Sequence, residues 1–336
     1  MTSEEFIKYC RIIGKNQDLV QGGGGNISVK INPGKMIVKT SGIELEKVSK
    51  KMGHVAVDYG KIASFIKKMS RQKNTRNEKK YMATLQESVL KKHGKQPSME
   101  AGFHAVLGKA VIHTHPVAIN SIGCAKNAEK MFQQALKGKK FAWISYKSPG
   151  LELSVSVLEE KQKAGGKNPL VILLENHGII VSSGSLKECY EETIKLEKKA
   201  KKFLEKKGVK VHLASNMEPE KTWKNQLVVK ELKKVWGQKT FKNFSKHFLF
   251  PDAAVYIETP ISLENSAKSK VKIRENGVVE IAEHDSAKKR KIFQVLLASL
   301  CIILNIMQFS KPKYIPEKKV LELHNMELEK IRKKAK

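Results

Sequence analysis

The stretch AVIHTHPVAI, residues 110–119, constrains this chain more than any other. Its apolar run reads as a buried strand, yet His113 and His115 stand one residue apart inside it. Residues i and i+2 of a strand point to the same face, about 7 Å apart along the backbone. Two buried imidazoles need partners, because an unpaired polar group costs free energy in apolar surroundings. They can converge on one cation, or they can pack and hydrogen-bond locally. By itself an HxH pair is more often the second.

The flanking sequence supplies further elements. Residues 3–19 have the apolar spacing of an amphipathic helix, with Phe6, Ile7, Cys10, Ile12 and Ile13 near one face. NISVKI and MIVKTSG alternate like two paired strands around an Asn-Pro-Gly turn at 32–34. Residues 57–69 suggest a strand and a helix, and the polar run RQKNTRNEKK at 71–80 suggests a loop. PSMEAGFHAVLG at 97–108 reads as a helix entered through its proline. PLVILLENHGIIVSSG at 169–184 reads as two apolar runs around a polar corner, followed by a long helix ending at Gly208. From about residue 220 the texture changes. FLFPDAAVYIETP and KVKIRENGVVEIAEH read as strands, and an apolar helix at 292–309 and a charged C-terminal helix follow. The short polar segment NMEPEKT marks a boundary, giving domains 1–216 and 217–336. Nothing in the second part carries recognisable chemistry.

Composition excludes several function classes. The net charge is +31, but only six of the 64 basic residues are arginine. Bidentate phosphate contacts and base readout favour arginine, and the lysines are interleaved with glutamate along the chain. We therefore expect a solvated lysine-rich surface and no nucleic-acid partner. Residues 292–309, IFQVLLASLCIILNIMQF, approach the length of a membrane span. Gln294, Ser299, Asn305 and Gln308 interrupt them, so we expect a buried helix and no membrane partner. Cys10, Cys124, Cys189 and Cys301 are scattered, without disulfide or thiolate-metal spacing. The polar N-terminus does not read as a signal peptide, and a cytoplasmic protein is expected.

Other residues join the two histidines. His177 lies in LLENHGII, at the end of one apolar run and before Gly178. Three neutral imidazoles with an open position form a catalytic divalent-metal pattern; alone, His177 fits a hydrogen-bonded turn. Glu100 and His104 fall at i and i+4 of the expected helix, on one face, where Glu100 could equally answer the helix dipole. In QGGGGNISVK, Gly22 to Gly25 precede Asn26, and glycines let backbone N–H groups approach an anion closely. Thr40, Ser41 and Gly42 of KTSG, with Ser98, add hydroxyls and an amide that could cradle a phosphate. The plain alternative is a tight turn with ordinary strand polarity.

Taken together, GGGGNISVK, VKTSG, PSMEAGFH, HTHP and ENHG, in this order, resemble the class II aldolase/adducin family over roughly residues 4–205. SYKSPGLEL, ENHGIIVSSGSLKECYE, FLFPDAAVY and YIPEKKVLELHNMELEKIR further resemble the aldolase part of bifunctional rhamnulose-1-phosphate aldolase/alcohol dehydrogenases, without the dehydrogenase domain. The resemblance implies an α/β fold: an α/β/α layered domain around a mainly antiparallel central sheet, here with a C-terminal α+β extension packed on it. It implies a metal-dependent lyase that cleaves a ketose 1-phosphate by retro-aldol chemistry through a metal-stabilised enediolate. A 4-epimerase, dehydratase or decarboxylase on the same scaffold, and a non-catalytic adducin-like protein, are the alternatives. His113, His115 and His177 match the family's metal ligands, for Zn²⁺ or another divalent ion such as Mn²⁺, Fe²⁺ or Co²⁺. Glu100 matches its acid/base, and Gly25, Asn26, Thr40, Ser41, Gly42 and Ser98 match its phosphate-binding positions. A homo-oligomer, usually a tetramer, is implied as well. Two positions depart from the fuculose-phosphate type: Met99 replaces a second serine, and residues 116–140 lack its proton-donating tyrosine.

Overall fold

The computed structural model describes residues 2–90, 96–165, 170–216, 226–263, 269–274 and 278–326. Its frame is a seven-stranded sheet built from β1 (Asn26–Asn32), β2 (Lys35–Lys39), β3 (His54–Asp58), β4 (Ala110–Thr114), β5 (Ala142–Ile144), β6 (Leu170–Leu174) and β7 (Gly178–Ser183). The order is β3-β2-β1-β4-β7-β6-β5, antiparallel except for the β5–β6 pair. β1 and β2 form the expected hairpin, with Ser28 opposite Val38, and Gly34 takes the turn at φ 78°.

Alternation along the strands fills both faces. On one face Ile27, Ile112, Ile179 and Val181 join the amphipathic helices α1 (Ser3–Gly14) and, later in the chain, the long helix Leu186–Lys206. On the other, Val111, Ile172 and Ile180 meet α2 (Tyr59–Arg71), α3 (Glu78–Glu87), α4 (Ala101–Val106) and a helix at Leu151–Lys163. Continuing the numbering, α5 is Val117–Gly123, α6 Ala128–Ala135, α7 Leu151–Lys163, α8 Leu186–Lys206, α9 Gln226–Val235, α10 Lys239–Phe244, α11 Pro251–Ile257, α12 Ser286–Met307 and α13 Glu317–Asn325. This is the layered arrangement that the family resemblance implies. His113 points to the α4 side, and its ring lies 5.6 Å from that of Phe103.

The extension forms a third apolar cluster that reaches α5 through Val117 and Cys124. α12 is long and apolar enough to cross a membrane, yet it is mostly buried within the protein. Its polar interruptions are all used internally. Asn305 Nδ2 donates to Ser121 Oγ (2.9 Å) and to His212 O (3.0 Å), and Gln294 Oε1 accepts from Gly22 N–H (3.1 Å). KVKIRENGVVEIAEH yields a short antiparallel pair, β8 (Val271–Ile273) and β9 (Val279–Ile281). The expected boundary after residue 216 falls at 217–225, outside the described residues.

Three local expectations fail. FLFPDAAVYIETP is not a strand: Pro251 opens helix α11 at its first position, where a fixed φ and a missing N–H cost nothing. Burial of all seven α11 residues overrides the β-preference of Val255, Tyr256 and Ile257. Residues 71–80 are not wholly loop, because α3 begins at Glu78. Pro97 does not open α4. It bridges Thr40, and the helix starts only after Glu100.

Candidate metal centre

Four side chains from three places meet at the end of the sheet. His113 comes from β4, His115 from just beyond it, His177 from the β6–β7 corner and Glu100 from the N-cap of α4. One ligand atom from each lies within 4.8 Å of those of the others. The His113 and His115 rings are 4.7 Å apart at their centroids, and His177 is 4.9 and 5.0 Å from them. Glu100 Oε1 sits 3.2 Å from His113 Nε2 and 3.6 Å from His177 Nε2. The Glu100 side chain makes no cap bond to its own helix, and its carboxylate faces the histidines.

Local structure makes the convergence possible. Asn176 adopts φ 53°, and Gly178 follows so closely that a Cβ there would lie 2.2 Å from Thr114 O. Only glycine lets the corner press against the end of β4 and carry His177 beside His115.

Hydrogen bonds fix two of the rings. His113 Nδ1 lies 2.9 Å from Ile179 O, a carbonyl that can only accept, so the proton is on Nδ1. His115 Nδ1 lies 2.7 Å from Asp252 Oδ2, which likewise accepts. Both Nε2 atoms are then lone-pair nitrogens, and they face each other at 2.9 Å. Two lone pairs at that distance repel unless a proton or a cation lies between them. Burial pushes His177 down to about 4, keeping it neutral. Burial works against the Glu100 carboxylate, but His113 and His177 outweigh it and hold its pKa well below the usual range. Burial also works against a charged His113, but Glu100 outweighs it and raises its pKa, so a divalent ion bound here would take the place of the His113 proton beside a neutral His177 and an ionised carboxylate.

A small cavity opens on this cluster. Gly25, Ser41, Gly42, Ser98, Glu100, His115 and His177 line it, as do Lys39 and Asp252. It measures about 30 Å³, room for an ion or a water, and Pro149 and Pro251 complete its lining. Asn26, Thr40 and His113 lie outside the lining. Asn26 is fully buried opposite His113 in the β1–β4 ladder, and both its side-chain polar atoms lack a hydrogen-bond partner.

The glycine stretch does less anion-facing work than its sequence suggests. Gly22 N–H donates to Gln294, Gly23 N–H donates to Tyr256 Oη (3.1 Å), and Gly24 N–H donates to Gln21 O. Ser41 N–H is likewise taken, by Gln96 O. What remains for an anion is chiefly the hydroxyls of Ser41 and Ser98 and the ammonium of Lys39. Lys39 is buried and donates to Gly23 O at 3.1 Å.

Lys39 and Asp252 were missed in the sequence, although each left a trace. Lys39 occupies the same phase of β2 as Ile37, where an apolar residue belongs. Asp252 is a lone acid within an apolar run, and a buried carboxylate is rare unless paired. The extension therefore contributes a side chain to the cavity lining.

Residues 4–204 match the family model described as Class II Aldolase and Adducin N-terminal domain. An uncharacterized oxidoreductase, YuxG, of Bacillus subtilis (strain 168) is 29% identical over 210 residues, covering 60% of this chain and 29% of that protein. The chain thus spans less than a third of that relative's length. A 3-oxo-tetronate 4-phosphate decarboxylase of Haemophilus influenzae is 24% identical over 210 residues, covering 59% of this chain and 84% of that one. The N-terminal class II aldolase domain of a conserved Thermoplasma acidophilum protein superposes with a TM-score of 0.53 at 25% identity, covering 61% of this chain and 94% of that one. On a match covering more than half its length, the chain belongs to the class II aldolase and adducin family.

Proposed function

We propose that this chain is a metal-dependent aldolase that cleaves a ketose 1-phosphate by retro-aldol chemistry. The observation that carries this reading is the meeting of Glu100 with His113, His115 and His177 beside a cavity whose wall holds Glu100, His115 and His177 together with Ser41, Ser98 and Lys39. A divalent ion, Zn²⁺ in the first instance, supplies Lewis-acid stabilisation of the negative charge that develops on the ketose oxygens. His113, His115 and His177 hold it.

The other residues orient the substrate and move protons. The Ser41 and Ser98 hydroxyls, the Gly42 and Gly25 backbone and the Lys39 ammonium offer donors and positive charge to a phosphate, fixing which carbon faces the cluster. Thr40 and Asn26 support them from behind. Glu100, 12% exposed and ionised at rest, is placed to take the proton from the nucleophilic carbon in the condensation direction, and in its protonated form to return one to that carbon after cleavage. A homo-oligomer in the cytoplasm, with tetramer as its expected form, belongs to the same proposal.

The decisive assay incubates the zinc-loaded protein with a panel of ketose 1-phosphates. We expect dihydroxyacetone phosphate and an aldehyde. Glu100→Gln should retain fold and bound metal while turnover falls by about 10²- to 10⁴-fold, the usual contribution of a positioned acid/base. Unchanged turnover in that variant would remove Glu100 from the chemistry. A phosphorylated sugar-acid decarboxylase is the second reading, favoured by the Haemophilus relative; carbon dioxide release from a phosphorylated 3-oxo sugar acid, with no cleavage of any ketose 1-phosphate, would select it.

Ser41→Ala and Asn26→Ala test the anion site. Ser41→Ala should weaken phosphorylated ligands by roughly the 1.5–3 kcal/mol typical of hydrogen bonds to charged groups, and Asn26→Ala, acting from behind the wall, should weaken them by less, each with little effect on dephosphorylated analogues. Equal loss for both ligand types would reduce these residues to shaping the loop.

A further inference from the structure

We infer that Asp252, from the C-terminal extension, is a positioning residue of the metal centre, holding the His115 ring so that its bare Nε2 faces the ion. This rests on the metal-centre reading above and adds a role for the part of the chain beyond the family match.

The sheet alone cannot orient His115. β4 ends at Thr114, so His115 lies just past the ladder, anchored by its backbone N–H to Leu19 O at 2.9 Å. His113 has the carbonyl of Ile179, on the neighbouring strand, to fix its tautomer. His115 has instead a carboxylate 137 residues away in sequence, at 2.7 Å. An ionised carboxylate only accepts, so it selects the Nδ1–H tautomer and leaves Nε2 as the ligand atom. Its charge also makes the ring a better donor to a cation. Both partners are buried, Asp252 at 1% and His115 at 3% exposure, so water does not compete for the bond.

Surrounding residues are shaped to this pair. A Cβ at Gly24 would lie 2.3 Å from Asp252 Oδ2 and 2.9 Å from His115 Nδ1. The third glycine of QGGGGN is therefore the space in which the two side chains meet. α11 and the segments packed beside it are held by contacts that do not involve the carboxylate. Asn176 Nδ2 donates to Leu249 O (2.8 Å) and Lys313 O (2.7 Å), Gly23 N–H donates to Tyr256 Oη, and His324 Nε2 donates to Ala254 O (2.9 Å). Asn176 is the neighbour of His177, so the corner that carries one histidine also docks the segment that orients another. With α11 anchored independently, replacing Asp252 by its isostere should leave the fold in place.

The test compares the full chain with Asp252→Asn and Asp252→Ala. Zn²⁺ affinity is measured by competition with a chromophoric chelator, and the His115 tautomer is read by ¹⁵N NMR of histidine-labelled apo protein, assigned with His115→Gln. We expect Asp252→Asn to stay folded by circular dichroism and to bind Zn²⁺ about 10- to 100-fold more weakly. Its His115 signal should move from a single Nδ1–H tautomer to a mixture, because an amide can donate as well as accept. Asp252→Ala should lose at least as much affinity. Unchanged Zn²⁺ affinity and an unchanged tautomer in a folded Asp252→Asn protein would overturn the inference and leave the metal centre standing. Failure of the unsubstituted chain to bind Zn²⁺ would overturn both.

Discussion

Replacing His113 by alanine is expected to strip the divalent ion from the protein. His113 sits at the middle of the cluster, 2.9 Å from His115 Nε2 and 3.2 Å from Glu100 Oε1. Its removal deletes one ligand and leaves Glu100 without the partner that most strongly favours its ionised form. The loss of affinity should exceed the roughly 10- to 100-fold typical of an outer hydrogen-bond partner. Metal content after gel filtration, measured by mass spectrometry, checks this. Full occupancy in His113→Ala would end the ligand assignment. The apo state of the unsubstituted chain should keep its fold, because the sheet and its two apolar layers do not depend on the ion.

An effect of comparable size is expected on deleting residues 217–336. α12 buries Ile292, Phe293, Val295, Leu296, Leu300, Ile302, Ile303 and Ile306 at 2% exposure or less. Each such side chain contributes about 1.5–3 kcal/mol. Even discounted for a compact unfolded state, their sum rivals the roughly 5–15 kcal/mol that keeps an ordinary domain folded. Truncation also bares α5 and strips partners from His115, Asn176, Gly22 and Gly23. The 1–216 fragment should therefore be insoluble or markedly destabilised, measured by soluble yield and thermal unfolding. A soluble, folded fragment with full zinc affinity would show the two parts to be independent, and Asp252 would lose its role.

Several features of this molecule were legible in the sequence because they are periodic or local. Alternation in NISVKI and MIVKTSG sorts side chains to two faces, and it predicts the hairpin that forms. The spacing of His113 and His115 puts two rings on one side whatever else the chain does. Gly178 after His177 marks a backbone approach that no other residue permits. The polar interruptions at 294, 299, 305 and 308 already argued for protein around α12, and bonds from Gln294 to Gly22 and from Asn305 to Ser121 bear that out.

Only the tertiary structure decided which polar groups answer one another across the chain. Strand propensity in FLFPDAAVYIETP lost to burial of α11 on every side, which no local pattern announces. The amides of the glycine run looked available to an anion, but Gln294 and Tyr256 occupy two of them from more than 230 residues away. Asp252 reaches His115 across 137 residues. Sequence periodicity fixes where a side chain points relative to its own element. The partner it meets depends on how elements distant in the chain pack, and that is set by the summed burial of the whole core.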